Sequence, residues 1–145
     1  MNELIQQMKV VLASTFAMYL KAHNFHWNVE GPNFNDYHAF FGNLYTELWG
    51  AVDPIAEQIR ALNSYAPGSL GRFSQLSKVD DQINIPNARS MIKELQSDNT
   101  ILISELNKAF ELADKQNIQG LVDFISGRLD VHAKHGWFLR AMSKD

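Results

Sequence analysis

Apolar residues recur at intervals of three and four along most of this chain, and this spacing constrains the fold more than any other feature. In the first such segment they are Leu4, Ile5, Met8, Val11, Leu12, Phe16, Tyr19 and Leu20. A period near 3.6 places such side chains on one face of an α-helix. No segment alternates apolar and polar residues convincingly enough to predict a β-strand. The pattern therefore predicts an all-α protein.

Four long helices follow from the same spacing. The predicted bounds are, in chain order, Asn2 (as N-cap) to about Asn28, near Asn35 to Leu62, Asn87 (as N-cap) to about Asp114, and near Asn117 to the C-terminus. The first helix should stop before Gly31-Pro32, because the residue before a proline disfavours helical geometry. Pro54 falls inside the second helix, where we expect a kink.

Helices of about 25 residues are about 37 Å long, and four of similar length pack most simply as an antiparallel bundle. The connection from Asn63 to Pro86 is too long for a tight turn, so it must cross the bundle. Within it, the segment "GSLGRFSQLS" predicts a short extra helix. We expect one domain over residues 1–145, a length that can bury a proper core.

Composition excludes several classes of protein. The chain has no cysteine, which excludes disulfide scaffolds and thiolate metal sites. Its net charge of −3 does not suit a generally basic nucleic-acid binder. No stretch approaches the ~20 apolar residues of a membrane span, and the N-terminus lacks the pattern of a secretory leader. We therefore expect a cytoplasmic protein that does not enter membranes.

Two histidines and two carboxylates form the candidate functional pattern. His26 lies in "HNFHWNVEGPNF" and His38 in "YHAFF", while Asp53 and Glu57 lie in "DPIAE". The two carboxylates are four residues apart on the second helix and therefore share one face. Imidazole with carboxylate and no thiolate suits iron, zinc or manganese.

These four groups cannot meet within one chain. His38 and Asp53 are 15 residues apart on one helix, or roughly 22 Å at the α-helical rise, whereas metal–ligand bonds are about 2.0–2.2 Å long. His26 should lie near His38 across the short turn. Two copies with antiparallel second helices would bring the histidines of one to the carboxylates of the other and form two equivalent sites. The two-fold axis should then pass near Tyr45 to Trp49.

Ordinary structural roles are the alternative for each of these residues. A single histidine more often caps or packs than binds metal, and an Asp/Glu pair four apart is usually a solvated face. Trp27, beside His26, would most often belong to the core. His132 and His135 lie three apart on the last helix and offer another weak metal face, but we expect His132 to pack or cap. His23, one turn before His26, could support the metal ligands from behind, but we expect it to be exposed.

Three segments resemble the Dps family of mini-ferritins, the DNA-binding proteins from starved cells. They are "NFHWNVEGPNFNDYH", "LYTELWGAVDPIAEQIRAL" and "HAKHGWFLRA". The resemblance covers essentially the whole chain and implies a ferritin-like bundle, assembly as a hollow dodecamer, and an iron-oxidising centre at a two-fold interface. Classical ferritins instead use Glu-x-x-His motifs within one bundle, and this chain contains none.

Carried over by position, the resemblance implies that His26 and His38 come from one subunit and Asp53 and Glu57 from its neighbour. Trp27 would stand beside the centre, where the family is thought to use it in quenching radicals. Gly42 departs from the family pattern, because many members have an aspartate there. The missing aspartate removes a possible ligand for a second metal ion. This predicts reduced ferroxidase activity, or a site that holds a single ion tightly.

The resemblance implies a ferroxidase that oxidises Fe²⁺, preferably with hydrogen peroxide, and stores the ferric product; zinc could take the place of iron. Acidic pores at three-fold axes would admit the iron, with Asp114 and Asp123 as candidates. One alternative is a cage that compacts DNA. Strong DNA binding is not expected, because the first twenty residues contain one lysine, Lys9. Another alternative is a passive metal-binding assembly with weak activity.

Overall fold

The computed structural model describes the whole chain, from Met1 to Asp145, as five α-helices without a β-strand. Their bounds are α1 Asn2–Asn28, α2 Phe34–Ala61, α3 Leu70–Leu76, α4 Ala88–Lys115 and α5 Gln119–Met142. The prediction of four long helices, with a short extra helix in the crossover, is confirmed. Pro54 does not end α2, which continues to Ala61.

The two predicted N-caps differ in outcome. Asn87 caps α4, since its side chain accepts a hydrogen bond from the Ser90 amide at 2.9 Å. Asn2 does not cap α1, and that prediction is wrong. The Ile5 amide already donates to the Met1 carbonyl at 3.0 Å, so the helix begins one residue earlier and Met1 occupies the cap position.

Helix α1 packs against α2, α4 and the short helix α3, and α4 packs against α5. Their apolar faces form two buried clusters, whose largest fully buried members include Phe25, Phe41, Leu48, Leu4, Leu12 and Ile55. The turns between α1 and α2 and between α4 and α5 are short, so these helix pairs run antiparallel. Asn117, in the second turn, adopts a left-handed φ of 56°, a conformation that asparagine tolerates better than most residues. No helix is both long and apolar enough to cross a membrane.

The crossover is held against α1 and α4 by specific contacts. Val79 is 4% exposed and belongs to the core, and the Lys78 amide donates to the Ser14 hydroxyl at 3.0 Å. Beneath it, the buried Lys21 ammonium lies 3.0 Å from the Asp98 carboxylate. Burial raises the pKa of Asp98 to about 6, although Lys21 opposes the rise. The crossover is therefore an ordered part of the bundle.

Candidate metal centre

His26 and His38 come together where α1 ends and α2 begins. The intervening turn contains Gly31, whose φ of 118° few other residues tolerate. The two imidazole rings are stacked, with centroids 3.9 Å apart and planes 15° from parallel. The structure therefore pairs the two histidines that the sequence placed near each other.

Each imidazole is oriented by the backbone of the other histidine. His26 Nδ1 lies 2.7 Å from the His38 carbonyl oxygen, and His38 Nδ1 lies 2.7 Å from the His26 carbonyl oxygen. A carbonyl oxygen only accepts hydrogen bonds, so both Nδ1 atoms must carry the proton. In neutral imidazoles this leaves the Nε2 lone pairs free. Such a bond to the second ring nitrogen is how proteins fix metal-binding histidines.

Asp53 and Glu57 lie farther along α2, with both side chains exposed on one face of the helix. They do not meet the imidazole pair, since no three or more histidine, aspartate or glutamate side chains of one chain are grouped closely enough to hold a metal ion. The structure therefore keeps the predicted ligands as two separate pairs on one subunit.

Gly42 lies directly beside the imidazole pair. A Cβ atom at this position would be 3.1 Å from His26 Cε1 and 3.2 Å from His26 Nδ1, closer than ordinary van der Waals contact. The absence of a side chain thus does more than remove a possible carboxylate ligand. It allows the His26 ring to rest against the backbone of α2.

Aromatic side chains surround the pair, and two of them were not identified from the sequence. Tyr45 lies 5.1 Å from His26 between ring centroids and stacks on His23 at 3.7 Å. Tyr19 contributes a hydroxyl 2.9 Å from His23 Nδ1. His23 is half-buried, so the prediction that it is exposed is wrong. Trp27 is 59% exposed and therefore does not belong to the core of this subunit.

This packing favours the uncharged forms of Tyr19 and His23. Burial raises the pKa of Tyr19 above its ordinary value of 10.0, and Tyr45 adds to the rise. Burial lowers the pKa of His23 below 6.5, and the neighbouring His26 lowers it further. At neutral pH the pair is therefore a protonated phenol beside a neutral imidazole. The four-residue spacing of Tyr19, His23 and Trp27 was the signal in the sequence that could have indicated this cluster, because it places the three rings on one face of α1.

A second polar network lies inside the bundle and is held by an arginine. Arg128 Nη1 and Nη2 lie 2.5 and 3.2 Å from the two Glu47 carboxylate oxygens, and Arg128 Nη2 lies 3.0 Å from His132 Nε2. His132 Nδ1 lies 2.8 Å from Asn99 Oδ1, and His135 Nε2 lies 2.7 Å from Glu47 Oε1. His132 is fully buried, which confirms that it packs. Both of its ring nitrogens have partners.

Charge and burial shift the pKa of two members of this network. Burial alone would raise the pKa of Glu47, but the hydrogen bonds from His135 and Arg128, together with their charges, lower it to about 2. Burial lowers the pKa of His132 to about 3, and the Arg128 charge acts in the same direction. The bundle interior thus contains an ion pair whose two Arg128 terminal nitrogens have partners, while the buried Arg128 Nε has none.

The candidate pore residues Asp114 and Asp123 are both exposed, near the end of α4 and the start of α5 respectively. They flank the turn at Asn117, at one end of the bundle. Whether they line a pore stays a prediction.

The fold agrees with that of known proteins. The family model of the ferritin-like domain matches residues 5–145. The DNA protection during starvation protein of Brevibacillus brevis is 32% identical over 97% of this chain and 98% of its own length. The crystal structure of Dps from Staphylococcus aureus superposes with a TM-score of 0.95 at 30% identity, covering 100% of this chain and 97% of that one.

The chain belongs to the Dps family. Another Dps structure, from Vibrio cholerae, has a TM-score of 0.95 at 25% identity and covers 99% of this chain and 90% of that one. That protein is described as a member of a broad superfamily of ferritin-like diiron-carboxylate proteins. The ferritin-like fold inferred from the sequence is confirmed by these likenesses.

Proposed function

We propose that this Dps chain is an iron-sequestering mini-ferritin that oxidises Fe²⁺ at a centre shared between two subunits and stores the ferric product within a hollow dodecamer. The main support is the imidazole pair. Its reciprocal Nδ1 bonds to backbone carbonyls leave both Nε2 lone pairs free, on two rings whose centroids are 3.9 Å apart.

The donor set suits a divalent metal ion. Two neutral imidazoles from His26 and His38 and two carboxylates from Asp53 and Glu57 would supply two negative charges and so neutralise Fe²⁺. Nitrogen and oxygen donors without thiolate are typical of iron sites. The same donors accept Zn²⁺, which would compete with iron for the centre.

A two-fold interface explains how the two pairs of ligands meet. Within one chain they are about 22 Å apart along α2, so the carboxylates must come from another copy. The face that carries both pairs also exposes large apolar side chains, among them Trp27 at 59% and Trp49 at 55%. Apolar side chains of this size commonly mark an interface with another chain. Twelve subunits built from such dimers would form the shell, with Asp114 and Asp123 at acidic pores.

In the oxidation, the protein positions the reactants and the electrons pass directly from iron to oxidant. Two Fe²⁺ ions supply the two electrons that reduce one hydrogen peroxide, which takes up two protons and gives two water molecules and two Fe³⁺. The chain needs no general base or nucleophile for this step. His26 and His38, held by main-chain carbonyls, fix the ion, while Asp53 and Glu57 offset the charge that increases as Fe²⁺ becomes Fe³⁺.

A mixing experiment tests the shared centre. One variant lacks the imidazoles (His26→Ala with His38→Ala) and the other lacks the carboxylates (Asp53→Ala with Glu57→Ala). Each alone should bind little Fe²⁺ or Zn²⁺ at this centre. After unfolding and co-assembly in equal amounts, random pairing restores about a quarter of the native sites, because each site needs one intact half from each variant. Binding that stays at the level of the separate variants would contradict the proposal.

Gly42 favours a second candidate function, a metal-binding assembly with little oxidase activity. The position has no carboxylate, and a side chain there would press against His26. Peroxide consumption in the presence of Fe²⁺ separates the two functions. Acceleration over buffer that is lost in His38→Ala supports the ferroxidase, whereas a rate equal to buffer supports passive binding.

DNA binding is expected to be weak despite the names of the relatives. The net charge is −3, and Lys9 lies within α1. An electrostatic attachment to phosphates would therefore be weak and sensitive to salt. Gel retardation at low and moderate salt tests this expectation, and retardation that persists as salt increases would overturn it.

A further inference from the structure

One short segment of the crossover covers buried charges with few contacts of its own. This segment, which we call the strap, comprises residues 77–82. Only Val79 within it is buried, at 4% exposure, and the Lys78 amide donates to the Ser14 hydroxyl at 3.0 Å. A segment held by one apolar side chain and few hydrogen bonds opens at a lower free-energy cost than the helices around it. The strap can therefore lift while the bundle stays folded.

The strap closes over a buried ion pair between α1 and α4. The Lys21 and Asp98 side chains are only 3% and 6% exposed, and the Lys21 ammonium lies 3.0 Å from the Asp98 carboxylate. The same ammonium lies 3.4 Å from the Glu94 carboxylate. Gln82 of the strap donates to both Glu94 oxygens, at 3.1 and 3.2 Å. The strap is thus joined to the ion pair through Glu94.

The closed strap gives this group an excess of negative charge. Asp98 and Glu94 share one ammonium, that of Lys21, and the strap adds Asp81, which lines a small cavity together with Lys21. Burial raises the pKa of Asp98 to about 6, and the charges of Glu94 and Asp80 add to the rise, whereas Lys21 opposes it. When the strap lifts, water reaches the Asp98 carboxylate and Asp80 moves away, and both changes favour the charged form of Asp98.

We propose that the strap is a pH-sensitive device, which stays closed over Lys21 while Asp98 carries a proton and opens more often once Asp98 is charged. Protonation removes a negative charge from beneath the strap, and Lys21 keeps Glu94 as its partner. Loss of the proton leaves a buried carboxylate that gains water when the strap lifts. A state in which a carboxyl group has the higher pKa is favoured at the lower pH, so acid favours the closed strap. This inference involves none of the proposed metal ligands.

Opening of the strap changes the apolar surface of α1. The closed strap lines a cavity of about 460 Å³ together with Phe16 and Leu20 of α1 and Leu70 and Phe73 of α3. Leu20 and Leu70 are already 41% and 73% exposed. Lifting Val79 out of the core would add to this exposed apolar surface. The device therefore makes the apolar surface beside α3 larger at neutral pH than in acid.

Hydrogen exchange of the assembled protein, followed by mass spectrometry of peptides that cover residues 77–82, measures this opening. The pKa of Asp98 is about 6 under the closed strap and returns to its ordinary 3.8 in water. Linkage therefore predicts that the opening constant, corrected for the intrinsic exchange rate, increases about tenfold from about pH 5 to pH 7. Asp98→Asn, which keeps a neutral side chain of the same size, should show no increase. Asp130→Asn, the matched control, removes an exposed carboxyl group of α5 and should retain the increase.

An opening constant that does not change with pH in the unsubstituted chain, or an increase that persists in Asp98→Asn, would overturn the proposal. Lys21→Met gives a second test that does not depend on the folding of Asp98→Asn. Since Lys21 lowers the pKa of Asp98, its removal should move the increase to higher pH. A merely structural role of Lys21 would raise the opening constant at every pH without moving the midpoint, and that result would also count against the proposal.

Discussion

At the scale of single residues, the imidazole pair depends on what Gly42 lacks. The His26 ring occupies the space that a Cβ atom would take, at 3.1 Å from its Cε1. This packing was not evident from the sequence, which showed Gly42 only as a missing aspartate. The pairing of His26 with His38 was predictable, because a short turn between two helices fixes the distance between residues on either side of it.

We predict that Gly42→Ala weakens metal binding although alanine favours a helix. The added methyl group pushes the His26 ring away from His38, and loss of one well-placed donor should lower the affinity for Zn²⁺ about tenfold, measured by titration calorimetry. Gly127→Ala is the matched control, since Gly127 is exposed within α5 and a Cβ there meets nothing. An affinity of Gly42→Ala equal to that of the control would refute this role.

At the scale of elements, the Glu47–Arg128–His132 network joins α2 to α5 and, through Asn99, to α4. The sequence did not reveal it, because its members are distant along the chain and each is an ordinary surface residue type. Only His132 gave a signal, as a histidine expected to pack. Helix bounds were predictable to within a few residues, since apolar spacing and turn residues are local.

We predict that Arg128→Met lowers the free energy of unfolding by about 3 kcal/mol, because it removes the cation that offsets the Glu47 charge and bonds His132 Nε2 inside the bundle. Urea denaturation measures the change. Arg89→Met is the control: Arg89 pairs with Asp145 at the surface, where their side chains are 50% and 89% exposed, and it should cost no more than about 0.5 kcal/mol. Similar losses in both variants would show that the buried network adds no special stability.

Low pH should weaken the Glu47–Arg128–His132 network. The pKa values of His132 and Glu47 in the folded chain, about 3 and about 2, lie below their ordinary values of 6.5 and 4.5. The contribution of His132 to the free energy of unfolding is therefore complete above pH 6.5, and that of Glu47 is complete above pH 4.5. Both contributions are lost as the pH falls towards the pKa values of the folded chain. Asp98 acts oppositely, since its raised pKa of about 6 means that its contribution is lost as the pH rises from 3.8 through 6.

A comparison of His132→Asn with the unsubstituted chain isolates the effect of the His132 imidazole on the pH dependence of stability. We expect the free energy of unfolding to decrease less steeply in the variant between about pH 6.5 and 3, measured by urea denaturation at each pH. Asp98 is the same in both chains and cancels in the difference. Parallel profiles would show that His132 does not titrate as the structure indicates.

At the scale of the whole molecule, one chain carries the imidazole pair and the carboxylate pair apart from each other, with the exposed Trp49 between them along α2. That one chain does not bring His38 and Asp53 together was predictable, because helical rise alone separates them. The family was also predictable from its motifs, and the comparisons confirm it. The crossover was predictable as a long connection with a short helix, but its contacts with the bundle were not. Its contacts, such as Lys78 with Ser14, join residues far apart in sequence.

We predict that Trp49→Lys separates the subunits and abolishes metal binding together. The lysine places a charge at the expected two-fold axis, where the 55% exposed indole would otherwise be covered. Light scattering and Zn²⁺ titration measure the two effects, and circular dichroism checks that the helices remain. A monomeric variant that binds metal as tightly as the assembly would exclude a shared centre.

The reciprocal bonds between the two imidazoles and main-chain carbonyls have an evolutionary consequence. A histidine oriented by the side chain of an aspartate, glutamate, asparagine or glutamine loses its hydrogen bond when that residue is substituted. A main-chain carbonyl oxygen is present whatever the residue is. Drift at surrounding positions can therefore alter the strength and selectivity of the proposed centre, while the orientation of the two imidazoles persists for as long as α1 and α2 keep the turn between them.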